Sequence, residues 1–301
     1  MRATFLMLLC AGALPAETVV LKRAWIDSVK DRATIDASFT IDHAHKHPNA
    51  PAADGDMHVA GRAPNEIGLP MVAELMNAAG APEQPAVQLI HAHEGNGQAF
   101  PITGAWRLWF EHPAALQRQF DDVPPAANTN PDHSFEIHPI TRYAGQDVTF
   151  SLDFVQGFPA HDAKTAFGSY EAMSIALQAT DSAVSMDVKK APYNYAVFRM
   201  KLLADPVKLD DGGLAVLADV LDNQGADENV LASNIRMIFV PGTGPWKLIS
   251  QGAGDGSEFD ALGIPRVNLN AIAAFIKAAG GASATRKLPY EMIVVGLHSA
   301  Q

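Results

Sequence analysis

Asn130-Pro131-Asp132-His133-Ser134-Phe135-Glu136-Ile137-His138-Pro139-Ile140 is the stretch on which the reading of this chain turns. From Phe135 it has the character of a β-strand, and a strand sends successive side chains to opposite faces. Glu136 and His138 then share one face, with Phe135 and Ile137 on the other. A carboxylate beside an imidazole can share a proton or a metal ion. Nine of the 11 histidines, His43 through His138, lie in the first half of the chain, and that half reads as organised around this strand.

Working outward, Arg32 to Ile41 alternates cleanly, with Ala33, Ile35, Ala37, Phe39 and Ile41 on one face. A His-, Pro- and Asp-rich loop follows to Gly55. Asp56 to Ala60 reads as a short strand, Ala63 to Gly68 as a turn, and Pro70 to Asn77 as a strand or short helix. Ala86 to His93 and Ile102 to Glu111 read as strands, Ala115 to Phe120 as a short helix, and Phe135 to Tyr143 as the strand quoted above. Short strands separated by turn signals predict a mainly β protein: a small antiparallel, OB-like barrel, or a sandwich, over residues 17–147. Residues 148–301 read as an α+β domain. Its strands fall near Val184–Val188, Tyr193–Leu203, Gly213–Leu221, Ile235–Val240 and Tyr290–Leu297. Gly242 to Pro245 reads as a turn. One helix spans Asn270–Ala279, capped by Asn268 or Asn270 and ended by Gly280-Gly281. Asp54-Gly55-Asp56 followed by Val72 to Leu75 faintly echoes Asp211-Gly212-Gly213 followed by Leu217 to Val220. The unequal spacing makes chance the better explanation, with two copies of one barrel left open.

The chain has 301 residues, 48% hydrophobic and 18% charged, as a core-forming globular protein does. A net charge of -11 with no Lys/Arg run makes nucleic acid an unlikely partner. Residues 1–16 read as a signal peptide: Arg2, an apolar run from Ala3, then small residues up to Ala16. The expected location is therefore periplasmic or secreted. No stretch is long and apolar enough to predict a transmembrane segment. Cys10 is the only cysteine and would leave with the signal, which excludes disulfides, thiol catalysis and Cys-rich zinc sites from the mature chain.

Four polar groups recur on the predicted strands of the first half. Asp56 and His58 share a face, with Met57 and Val59 turned to the core. Glu74 is a carboxylate inside the apolar run Met71 to Met76, where a charge needs a partner or an edge. Glu111-His112 ends the Trp-rich strand, and Glu136 with His138 completes the set. Imidazoles and carboxylates without sulfur suit a divalent metal such as zinc, manganese or calcium. Asp56, His58, His91, His112 and His138 are the expected metal ligands, and Glu136, His138 and Glu74 the expected catalytic groups, activating water for hydrolysis. The same residues also read as a structural hydrogen-bond network. His43-x-His45-x-His47 reads as solvated histidines on a loop. Trp106, Trp109 and Phe110 cannot all face inward on one strand, so one is expected to cover a barrel end, with an exposed stacking surface as the lesser alternative.

Asp54-Gly55-Asp56-Met57-His58-Val59, Met71-Val72-Ala73-Glu74, Thr103-Gly104, His112 and Phe135-Glu136-Ile137-His138-Pro139, in that order, resemble the motifs of a group of small exported bacterial β proteins. The resemblance implies an OB-like barrel and no particular activity. The Trp-rich strand and the insertion Ala114–Asn130 depart from the group's pattern. The Asp-Gly-Asp opening is also similar to that of staphylococcal-type nucleases. Arg62 and Glu66 follow too closely for that active site, but the similarity makes phosphodiesters a substrate class to test. Two functions are thus expected from the sequence: an exported metal-dependent hydrolase, phosphodiesterase-like, or a non-catalytic binding module for a glycan, peptide or envelope component.

Overall fold

The computed structural model describes residues 17–112, 116–149, 160–189, 191–222, 229–279 and 283–300. The signal-like segment 1–16, with Cys10, lies outside the described residues, as do Ala114, Gly280 and Gly281. The first elements in chain order are β1 (Glu17–Lys22), α1 (Arg23–Val29), β2 (Thr34–Ala44), β3 (Met57–Arg62), β4 (Met71–Leu75), α2 (Gln84–His93), β5 (Ala99–His112), β6 (Leu116–Arg118), β7 (His133–Tyr143) and β8 (Gln146–Asp147). Then come β9 (His161–Asp162), α3 (Ala163–Ala172), β10 (Ser174–Ala179), β11 (Ala183–Val188), β12 (Ala196–Leu202), β13 (Val207–Lys208) and β14 (Leu214–Leu221). The last are β15 (Val230–Phe239), α4 (Gly244–Ser250), β16 (Glu258–Val267), α5 (Leu269–Ala279), β17 (Ser283–Lys287) and β18 (Tyr290–Ser299).

The chain is mainly β, and its strands close into two five-stranded barrels. The first runs β4-β3-β2-β5-β7 and closes where β4 pairs with β7. Only that closing pair is parallel. Counted along the chain, its strands stand in the ring order 1-2-3-5-4, with α2 between the third and fourth. This is the Greek-key barrel of OB type expected from the sequence. The second barrel runs β14-β15-β18-β16-β12 and closes between β12 and β14. It has the same ring order, a parallel pair between its third and fifth strands (β15 and β18), and α4 between its third and fourth. A further sheet, β17-β10-β11-β1-β6, draws on both halves of the chain.

The two barrels match rung for rung. Arg107 stands opposite Glu136 in the first and Arg266 opposite Glu291 in the second. Gly104 and Gly263 each lie three residues before the arginine, at a shift in strand register. Asp54-Gly55 and Asp211-Gly212 each precede the second strand. Both glycines have positive φ, and both aspartates accept the amide of the residue two ahead, at 3.0 and 3.1 Å. The first half of the faint echo is therefore a true structural repeat. Its second half is not, because Val72 to Leu75 lie on a third strand and Leu217 to Val220 on a second.

The arginines also join the barrels. Arg107 donates to the Pro265 carbonyl at 3.0 Å. Arg266 donates to the Ala33 and Trp106 carbonyls at 3.2 and 3.0 Å, and its guanidinium lies 3.5 Å from the Trp106 ring centroid. β5 thus packs against its own barrel on one side and the second barrel on the other. Trp106 lies under Arg266, Trp109 meets Tyr170 of α3 edge-on, and all three of Trp106, Trp109 and Phe110 are buried, so none serves as an exposed stacking surface.

Local readings also change. Ala86 to His93 is helix, not strand: Pro85 opens α2, and Ala86, Val87 and Ile90 share its buried face. Arg23 to Val29 is helix, with Trp25, Ile26 and Val29 buried. Leu116 to Arg118 is a strand paired with β1, not a helix. Gly242 to Pro245 leads into α4, with Thr243 as its N-cap accepting from the Trp246 amide at 3.3 Å. The long helix near Asn270 is present. Asn268 caps it at 3.0 Å, while Asn270 donates to the Lys30 carbonyl.

Candidate metal centre

The Asp-Gly turn before β3 delivers Asp56 to the buried face that β3 turns away from its Met57–Val59 core, towards Tyr195. One carboxylate oxygen, Oδ1, accepts the Asn77 amide at 2.8 Å, and the other, Oδ2, accepts the Tyr195 hydroxyl at 2.6 Å. The Tyr195 proton is thereby committed to Asp56, so the phenolic oxygen accepts from His138 Nε2 at 2.7 Å. The hydrogen on His138 Nε2 is fixed by this chain, and Nδ1 is the nitrogen left to other chemistry. That nitrogen is buried and makes no hydrogen bond. It stands 3.5 Å from Glu74 Oε2 and 3.5 Å from Glu136 Oε2. Two ligands held about 2.1 Å from one tetrahedral cation stand about 3.4 Å apart, so the spacing is that of groups around a common ion.

Beyond this core, Glu74 Oε2 lies 3.5 Å from His58 Nε2. Glu136 is clasped by Arg107 through Oε2 and faces His133 Nε2 through Oε1 at 3.3 Å. Asp56, Arg107 and His138 are 0% exposed, Glu136 2% and Glu74 3%.

In the metal-free protein these groups set one another's protonation. Burial pushes the His138 imidazole down, but the surrounding Glu74, Asp56 and Glu136 carboxylates outweigh it and raise its pKa to about 10. Burial raises the Glu74 carboxyl against the opposing pull of His138 and His58. Burial works on Glu136 too, yet Arg107 and His133 hold it well below the usual carboxylate range. Tyr195 is pushed up by burial, then by Asp56 and Glu74.

Of the residues singled out in the sequence, Asp56, Glu74 and His138 offer ligand atoms within 4.8 Å of one another. Glu136 adjoins them and His58 backs Glu74. His112 belongs to a different group, with His133 and Glu136. His91 lies on α2 beside Glu94 at 3.5 Å and joins neither group. His45 of the loop stacks on His58 with ring centroids 4.6 Å apart. Tyr195, Arg107 and His133 escaped the sequence reading. Tyr195 comes from 139 residues away and left no local signal. Arg107, flanked by tryptophans, looked like an interruption of an apolar run. His133 looked like part of a loop.

The second barrel serves as an internal control. By strand register the counterparts of Asp56, His58, Glu74 and His138 are Gly213, Ala215, Ile238 and Ile293. Ile238 and Ile293 are fully buried. The Arg–Glu rung, the bulge glycine and the Asp-Gly turn occur in both barrels, so they belong to the architecture. The Asp, two His and Glu occur in one only, so the fold does not require them.

No family profile matches the chain, and no curated protein matches it. Among solved structures the chain is similar to the single-stranded DNA binding protein from Thermus aquaticus, as wild type and as a deletion mutant. Each shares 9% identity over 89% of this chain, and 91% and 93% of the respective neighbour is covered, with a TM-score of 0.23 in both cases. A likeness of that strength adds nothing to the fold assignment, which stands on strand order and register alone.

Proposed function

We propose that this is an exported metal-dependent hydrolase, phosphodiesterase-like, whose cation is held by Asp56, Glu74 and His138 with Glu136 as the adjoining base. The reading rests on one observation. Where the second barrel buries Ile238 and Ile293, the first buries Glu74 and His138, leaving His138 Nδ1 unpartnered. Replacing apolar pairs by buried charges is neutral to costly for stability, so a role other than packing accounts for them. Export rests on the sequence of residues 1–16, as does kinship with the exported β group on its motifs. An acidic surface argues against nucleic acid as the substrate.

Elemental analysis of untagged protein tests the metal. A divalent ion should be present, lost in His138→Ala, and kept when His43, His45 and His47 are all replaced by alanine. Hydrolysis of bis(p-nitrophenyl) phosphate should follow the metal. Protein that holds no ion and cleaves no ester after loading with zinc or manganese sinks the reading.

A second reading draws support from burial. Asp56, Glu74, Glu136 and His138 are each 3% exposed or less, and a substrate must displace protein to reach them. On that reading the network is structural, and the chain is a non-catalytic module binding a glycan, peptide or envelope polymer. The surface for it is an open cleft of about 780 Å³ that includes Arg32, Asp36, Arg142, Asp147 and Lys247. Metal-free, inactive protein that cosediments with cell-wall polymer, and loses this in Arg142→Ala, would favour it.

A further inference from the structure

His112, His133 and Glu136 form a second group, with ligand atoms within 4.8 Å of one another. His133 decides what the group can do. Its Nδ1 lies 2.6 Å from the Pro131 carbonyl oxygen, which can only accept, so Nδ1 carries the hydrogen. Nε2 then faces Glu136 Oε1 at 3.3 Å. In a neutral ring that sets a lone pair against a carboxylate oxygen, a contact that either a second ring proton or a metal cation between the two atoms makes favourable. The distance is close to the edge of about 3.4 Å between two ligands of one tetrahedral zinc. A backbone carbonyl on the far ring nitrogen is also the contact that orients most metal-bound histidines.

The surroundings agree. Arg107 occupies the other oxygen of Glu136, Oε2, and leaves Oε1 to the group. His112 stacks on His133 with ring centroids 4.8 Å apart. His112 is half-buried at the end of β5, while His133 and Glu136 are buried. Three residues before Glu291, where the second barrel matches His133, stands the fully buried Leu288. The fold therefore accepts an apolar residue there.

We propose that His112, His133 and Glu136 bind a transition-metal dication of the zinc class, with the half-buried His112 turning to complete the ligand set and the remaining position opening towards solvent. Two imidazoles and one carboxylate with a free position suit such ions. The site shares Glu136 with the first centre, through its other oxygen, but draws on His112 and His133, which the hydrolase reading does not use.

Calorimetric titration with zinc tests it, on chelator-stripped, untagged full-length protein carrying His138→Ala and alanine at 43, 45 and 47. One zinc should still bind. His133→Gln should weaken it by about tenfold or more, and so should His112→Gln, whose half-buried position protects folding. On zinc addition the imidazole nitrogens of His112 and His133 should shift in NMR spectra. Absence of zinc binding in that background, or unchanged affinity in His112→Gln, would overturn the proposal. The outcome is separable from that of the first centre, because in the wild-type background only the Asp56–Glu74–His138 ion is removed by His138→Ala.

Discussion

Glu136 and His138 are two residues apart on one strand, yet they play different parts. Glu136 neutralises Arg107 in the buried seam between the barrels, and Glu291 does the same for Arg266. Glu136→Ala leaves the buried Arg107 guanidinium only the part-exposed Glu111 carboxylate at 3.2 Å, a loss of about 3 kcal/mol in urea unfolding. His138 has no such architectural duty. The double replacement Glu74→Ile with His138→Ile installs the pair that the second barrel already carries. Thermal unfolding should show a Tm equal to or above that of the metal-free wild type, and a fall worth several kcal/mol would mean that the cluster is structural. The pH dependence has a definite sign. His138 rises from about 6.5 unfolded to about 10 in the metal-free fold. Its stabilising share is complete below about pH 6.5 and is lost as pH rises through about 10. Metal-free wild type should therefore lose more stability between neutral pH and pH 10 than the double isoleucine variant does.

At the scale of elements, the fourth and fifth strands of each barrel depend on a bulge glycine. A Cβ on Gly104 would stand 2.4 Å from the Ile137 side chain and 2.4 Å from the Pro139 carbonyl oxygen. The carbonyl is backbone and cannot swing aside. At Gly263 the nearest atoms stand at 3.1 Å, a tight but smaller conflict. Gly104→Ala should cost about 1–3 kcal/mol or more through overpacking, and Gly263→Ala measurably less, as compared by chemical denaturation. Equal costs would mean that the bulge does not set the register that aligns Arg107 with Glu136. The same bulge places Glu136 and His138 relative to β4, so Gly104→Ala should also weaken any metal bound there.

For the whole molecule, the reciprocal arginines couple the barrels. Arg266 reaches three carbonyls of the first barrel, those of Arg32, Ala33 and Trp106, and lies over the Trp106 ring. Lysine keeps the charge but lacks the planar fork that makes these bonds together. In Arg266→Lys, calorimetric unfolding should broaden or split into two transitions, where the wild type gives one. A single sharp transition in the variant would show that the barrels are coupled through other contacts. Among the described residues no helix is long and apolar enough to cross a membrane.

The sequence alone determined the first barrel and most of its polar set. Alternation along β2 and the short motifs around Asp56, Glu74 and Glu136 are local signals, and strand periodicity converts them directly into faces. It could not separate a metal centre from a network, nor find the second copy of the barrel. The repeat is carried by a few framework positions, an Asp-Gly turn, a bulge glycine and an Arg–Glu rung, set at intervals that differ between the two copies. Only tertiary pairing brings these into register. The same pairing brought Tyr195 onto His138 and Asp56, laid Arg266 over Trp106 between the barrels, and set His112 beside His133. Each of these depends on contacts between residues distant in the chain, which no local pattern encodes.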